Sequence, residues 1–146
     1  MKVVSSGFIV KSRDGRFLLG KADGHEEPFC FTVFKGQQEG EETLMDTAIR
    51  ELKEESGIDI IADHRLNRNI STNPIFSYSL RHKDVFLFLL TDVEGVLNDF
   101  KFSCSSYWRD DRLEIIDYKW FTIGEIWENI FPSQRGLIGK LKVMEE

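Results

Sequence analysis

Short apolar runs separated by polar and glycine-bearing segments organise the first half of the chain. Val3 to Val10 and Phe17 to Leu19 predict two strands, joined across Asp14-Gly15, a dipeptide that favours a tight hairpin turn. Phe29 to Phe34 predicts a third strand, running into a polar loop from Gly36 to Glu42 whose glycines permit close approach of backbone to a metal or phosphate. The apolar period then changes from two to that of a helix, and residues 43–56 are predicted helical, with Thr43 as N-cap and Gly57 as a left-handed stop. Ile58 to Ala62 reads as a further strand, Asp63 to Asn73 has no clear period, and Tyr78 to Leu80 and Val85 to Leu90 read as strands paired across the Arg81-His82-Lys83-Asp84 turn. Near the end, Ile115 to Phe121 predicts a strand. Thr122 and Glu125 form a capping box for a helix to about Asn129, and Leu137, Leu141 and Met144 mark a last amphipathic helix after Pro132 and Ser133. Strands and helices alternate loosely, which predicts an α/β fold with a mixed β-sheet flanked by helices on both faces.

The central helix carries unusual chemistry. With a step of about 100° per residue and Glu51 set at zero, Glu55 falls near 40° and Glu54 near 300°, so these carboxylates share an arc of about 100°. Ala48, Leu52, Met45 and Ile49 make a neighbouring apolar stripe, and Asp46, Lys53 and Arg50 a third, polar one. Crowded carboxylates repel one another unless a cation holds them, and a hard divalent ion such as Mg²⁺ prefers oxygen ligands and is commonly shared with substrate phosphates. Arg50 precedes Glu54 by one turn and is positioned to pair with it and orient it.

From Gly36 through Glu42, Arg50-Glu51-Leu52-Lys53-Glu54-Glu55 and Gly57-Ile58, the chain resembles the Nudix hydrolases, whose signature reads G-x5-E-x7-R-E-U-x-E-E-x-G-U with U aliphatic. The match holds at every defined position. The resemblance implies a Nudix α/β/α sandwich and hydrolysis of a nucleoside diphosphate linked to another group, X. It also implies Glu51, Glu54, Glu55 and the Gly36 carbonyl as Mg²⁺ ligands, with Mn²⁺ as a substitute, Glu51 as activator of water, Arg50 as brace and Glu42 at the edge of the site. Glu114, just before the Ile115 strand, stands where some family members supply another catalytic carboxylate. Structural roles are expected for Asp117 and Trp120. Pro74, sixteen residues past Ile58, stands where ADP-ribose hydrolases of the family often carry a proline, although Thr72-Asn73-Pro74 would suit any turn. Tyr78 lies near, but not at, the offset of a tyrosine in hydrolases of dinucleoside polyphosphates. Lys35-Gly36 and the small size suggest a narrower likeness to the NudE-type enzymes of T-even phages.

Composition narrows the setting. A chain of 146 residues, 41% hydrophobic and 12% aromatic, suits one packed domain over residues 1–146. Cys30 and Cys104 match no metal-ligand spacing and read as free thiols of a reducing compartment. No signal sequence and no long apolar run are present, so a cytoplasmic protein with no membrane partner is expected. Residues 36–59 hold eight of the 25 acids but only two of the 19 bases, so the net charge of −6 belongs to the motif and the remainder is neutral. With no basic tract, duplex nucleic acid is excluded as a primary partner.

Candidate substrate contacts are less sharply marked. Lys35 is placed to bind a phosphate or is simply a surface lysine. Tyr107, Trp108, Arg109 and Arg112 form a charged aromatic segment able to stack a base and clamp a phosphate, or an ordinary surface loop. His25, His64 and His82 are scattered and read as surface histidines; Trp120 and Trp127 read as core, and Phe8 and Phe29 read as core or as lining a base pocket near the sheet edge. The expected substrate is a small nucleotide conjugate, ADP-ribose or a dinucleoside polyphosphate, with capped RNA ends and a homodimer among the options the resemblance leaves open. Alternative readings are a pyrophosphohydrolase that cleans the (d)NTP pool and a non-catalytic nucleotide- or RNA-sensing module. The complete carboxylate set weighs against the last.

Overall fold

The computed structural model describes residues 2–145. Its centre is strand β1 (Val3–Lys11), where the side chains alternate between two buried faces. Phe8 and Val10 enter one apolar cluster and Ile9 the other. A turn closed by Ser12 N–H donating to the Arg16 carbonyl at 2.7 Å, with Gly15 at φ 88°, leads to β2 (Phe17–Ala22). Two short strands follow, β3 (Phe31–Thr32) and β4 (Phe34–Gln37), then helix α1 (Leu44–Ser56) and a one-turn helix α2 (His64–Asn67). The hairpin β5 (Phe76–Leu80) and β6 (Lys83–Thr91) comes next. A small separate hairpin, β7 (Tyr107–Arg109) with β8 (Arg112–Leu113), precedes β9 (Ile115–Phe121), α3 (Ile123–Ile126) and α4 (Gly136–Met144).

The sheet runs β3-β2-β1-β6-β5, with β4 also on β1 and β9 also on β2. It is mixed because β1 and β6 pair in parallel from Val3↔Lys83 to Lys11↔Thr91, whereas the other pairings are antiparallel. α1 covers one face through Ala48 and Leu52 among Phe34, Phe88 and Leu90; α3 and α4 cover the other through Ile126, Leu137 and Leu141 among Phe17, Phe31 and Leu87. Side chains of this size, fully withdrawn from water, each contribute about 1.5–3 kcal/mol. Two apolar faces on one sheet therefore explain why helices are required on both sides.

Several predicted boundaries move. The Ile58 to Ala62 segment is not a strand. Its alternation buries Ile58 and Ile60, but the Asp59 carboxylate accepts the N–H groups of Ile61 and Ala62, each at 3.1 Å, and closes a turn. The Phe29 to Phe34 strand is split at Val33, whose N–H donates to Gln134 Oε1 at 3.1 Å instead of to a neighbouring strand. Phe29 lies outside it in the left-handed region, with the Arg135 guanidinium over its ring. Gly36 belongs to β4, not to the loop. α3 ends near Trp127, short of Asn129, and Trp127 is half exposed beneath Arg135 instead of buried in the core. Met144 is likewise exposed.

Candidate active site

α1 begins where Thr43 and Asp46 cap each other, Asp46 N–H to Thr43 Oγ1 and Thr43 N–H to Asp46 Oδ2, both at 3.1 Å. It ends at Gly57, with φ 83°, whose N–H donates to the Lys53 carbonyl. Between these caps the apolar stripe docks on β1 and β4, and that docking carries Glu51 and Glu55 into a buried crevice at 8% and 5% exposure. Gly36 makes room for Glu51: a Cβ there would lie 2.0 Å from the Glu51 carboxylate carbon. Lys35 N–H donates to Glu55 Oε1 at 3.0 Å, and the Tyr118 hydroxyl donates to the Glu55 carbonyl.

Glu114 completes the crevice from the other side. Its carboxylate, accepting from Ser106 Oγ at 3.1 Å, comes together with those of Glu51 and Glu55, the three offering oxygens within 4.8 Å of one another. Glu54 is turned elsewhere, accepting from Arg50 Nη1 at 3.2 Å. Arg50 is the hub of the acidic surface. Its guanidinium also donates to Glu42 at 2.7 and 3.0 Å, to Glu51 Oε1 at 2.8 Å and to the Gln37 carbonyl at 2.9 Å.

The electrostatics separate these acids. Arg50 holds Glu42 down at about 2. Burial, then the charge of Glu54, pushes Glu51 upward despite Arg50. Burial pushes Glu55 well above the usual carboxylate range, reinforced by Glu51 and by a hydrogen bond with Glu114. A buried carboxylate cluster that must otherwise hold protons matches a divalent cation in charge, and its all-oxygen donor set suits Mg²⁺ or Mn²⁺ over softer metals. The residues present therefore fit such an ion.

A cavity of about 640 Å³ opens over Glu51, Glu55 and Glu114. Lys35 and Gly36 line it, as do Lys83, His82, His25 and Phe131. A second hollow of about 460 Å³ shares His25 and Glu114 with it and is walled by Trp108. The β7–β8 hairpin is pinned there, because Asp23 accepts from Trp108 Nε1 at 3.1 Å and from Arg112 at 2.6 and 2.8 Å and is held near 2 by Arg112. Arg109 and Arg112 lie over the Trp108 ring, and neither they nor Tyr107 line either cavity. Pro74 lies apart, in a shallow hollow with Phe76 and Phe86. Lys83 and His25 were not legible as site residues: Lys83 sits in what reads as a hairpin turn, and no spacing marks His25.

Comparison with known proteins agrees with this geometry. A family model of the NUDIX domain matches residues 1–141. The chain belongs to the Nudix family. No curated protein matches the sequence. Among solved structures, this Nudix hydrolase is similar to a C. elegans Ap4A hydrolase at 22% identity and TM-score 0.68, covering 98% of this chain and 97% of that one. The MutT protein of Methanosarcina mazei Go1 aligns at 18% identity and TM-score 0.64, over 99% of this chain and 96% of that one. A bifunctional NMN adenylyltransferase/ADP ribose pyrophosphatase of Francisella tularensis reaches TM-score 0.73 at 19% identity, over 99% of this chain but 41% of that one, and is also known complexed with AMP and a Mn ion. At these identities the likeness is one of fold, the α/β/α arrangement of a mixed sheet with flanking helices.

Proposed function

We propose that this Nudix hydrolase splits the pyrophosphate bond of a nucleoside diphosphate linked to a second group, with ADP-ribose and dinucleoside polyphosphates as the leading substrates and Mg²⁺, or Mn²⁺ in its place, as cofactor. The observation that carries the reading is the convergence of Glu51, Glu55 and Glu114 beneath a cavity that also contains Lys35. In this proposal Glu51, Glu55 and the Gly36 carbonyl hold the ion, with Glu54 joining from the rim when it leaves Arg50. The bound ion would neutralise the phosphoryl oxygens and lower the pKa of a coordinated water.

The chain's own groups do the rest. Arg50 holds Glu51 by Oε1, which leaves Oε2 to accept the proton of the attacking water. Such general-base assistance contributes about 10²–10⁴ in rate. Glu114 faces the same space from the bend between β8 and β9 and is positioned to share that proton. Lys35 holds a phosphoryl oxygen, and Trp108, with Arg109 and Arg112 packed over its ring, borders the space for the nucleoside. No helix among the described residues is long and apolar enough to cross a membrane, and the two free cysteines suit a cytoplasmic setting.

The test is a screen of purified protein with Mg²⁺ or Mn²⁺ against nucleotide conjugates, dinucleoside polyphosphates, capped RNA ends and NTPs, with products identified by mass. AMP and a phosphorylated partner from a conjugate support the proposal. NMP and pyrophosphate released from NTPs alone would make it a pool-cleaning enzyme, and no cleavage of any compound would leave a binding module.

A further inference from the structure

Glu114 sits at the bend where the β7–β8 hairpin hands over to β9, and two neighbours fix its backbone. Its N–H donates to the Ser106 carbonyl and its own carbonyl accepts from the Asp23 N–H, both at 3.0 Å. Ser106 Oγ then holds the carboxylate at 3.1 Å. The hairpin that carries this arrangement is weakly made: it pairs Tyr107 with Leu113 and Arg109 with Arg112, stands apart from the main sheet and exposes every residue of β7. A two-stranded hairpin on its own is marginal in water. The incoming limb is tied to the end of α1, where Ser105 N–H donates to the Glu54 carbonyl at 2.7 Å. The returning limb is tied to Asp23, just past β2. Its carboxylate, 11% exposed, accepts from Arg112 Nε at 2.6 Å, from Arg112 Nη2 at 2.8 Å and from Trp108 Nε1 at 3.1 Å. Gly24, left-handed at φ 82°, lets the Trp108 ring close on the adjacent backbone, where a Cβ would meet it at 3.4 Å.

We propose that Asp23 is a positioning residue for Glu114: its carboxylate gathers both strands of the hairpin through Trp108 and Arg112, and its N–H holds the Glu114 backbone two residues further on. Remote from the reacting atoms, it keeps the Glu114 carboxylate against those of Glu51 and Glu55. A charge-assisted fork from a planar guanidinium fixes direction as well as distance, so the returning limb has one orientation with Asp23 in place and several without it. Arg112 is committed to this fork and holds the hairpin, not a phosphate. The catalytic consequence rests on the hydrolase reading above, whereas the tie between Asp23 and Glu114 is a property of the fold.

The test compares wild type, Asp23→Ala, Arg112→Gln, Glu114→Gln and the double variant Asp23→Ala/Glu114→Gln on whichever nucleotide conjugate the wild type cleaves with Mg²⁺, melting temperatures confirming that each folds. Arg112 is exposed, so Arg112→Gln removes the fork from its other end should Asp23→Ala not fold. Asp23→Ala and Arg112→Gln are each expected to lower kcat about tenfold or more, as displacement of a reacting group does. The double variant is expected to be no slower than Glu114→Gln, because residues that act as a unit do not add. Wild-type kcat in Asp23→Ala and Arg112→Gln, a change in KM alone, or losses that multiply in the double variant would overturn the positioning role. Amide hydrogen exchange over residues 106–115, followed without substrate, is expected to quicken in Asp23→Ala and Arg112→Gln. A wild type that cleaves nothing would overturn the hydrolase reading; quickened exchange would then keep the tie between Asp23 and Glu114, and unchanged exchange overturns that tie whether or not the wild type is active.

Discussion

Arg50 and Glu42 form a two-point ion pair, Nε donating to Oε2 at 2.7 Å and Nη2 to Oε1 at 3.0 Å, while Nη1 of the same guanidinium holds Glu51. One planar group thus ties the loop before α1 to the buried carboxylates. Lysine cannot reproduce that fork. Arg50→Lys is expected to lower turnover by about 10–100-fold, as losses of groups supporting a metal ligand do, with the circular dichroism spectrum unchanged. Wild-type turnover in this variant would show that Arg50 has only a surface role.

Gly36 is tested by addition of a single carbon. A Cβ at 2.0 Å from the Glu51 carboxylate carbon forces either that side chain or β4 to move. Displacement of a reacting group by about 1 Å can cost about 10²-fold, so Gly36→Ala should lose at least that much in kcat. A variant with wild-type kcat would mean that Glu51 is not needed where it stands.

Stability and catalysis should separate at Leu52, one residue from Glu51 but on the apolar stripe and fully buried. Leu52→Ala is expected to cost about 2–5 kcal/mol in denaturant unfolding while the folded fraction keeps its dependence on Mg²⁺. A change below 1 kcal/mol, on the order of a surface substitution, would contradict the packing of α1 on the sheet.

Glu55 and Glu42 couple folding to pH with opposite signs. Glu55 is raised well above 4.5, so metal-free folded protein holds a proton that the unfolded chain releases; this stability is full below 4.5 and lost as pH rises through the folded value. Glu42 is depressed to about 2, so its contribution is present above 4.5 and lost as pH falls towards 2. A metal replaces the Glu55 proton, and so Mg²⁺ should raise the melting temperature more at about pH 8 than at about pH 5.5. Equal shifts at the two pH values, read by differential scanning fluorimetry with and without EDTA, would contradict a metal on this carboxylate.

Local signals decided what could be read from the sequence. α1 was legible because its period, Thr43 cap and Gly57 stop agree, and the structure keeps all three. Ile58 and Ile60 misled because burial on alternate residues arises equally from a turn whose N–H groups are taken by Asp59. The break at Val33 depends on Gln134, a partner a hundred residues away that no local pattern reveals. In the site, helical spacing groups Glu51, Glu54 and Glu55, yet the long reach of Arg50 draws Glu54 aside and the sheet brings Glu114 in. Lys83 joins the cavity only through the parallel pairing of β6 with β1, a long-range register that spacing along the chain does not encode.

The central claim is that the buried carboxylates exist to hold a divalent cation. Calorimetric titration of Mn²⁺ into wild type, Glu51→Gln and Glu55→Gln tests it most directly, with folding of each checked beforehand. The expected result is saturable binding by wild type, weakened at least about tenfold in both variants, the smaller end of what loss of even a supporting group costs. Equal affinity in all three proteins, or no uptake by wild type, would contradict it.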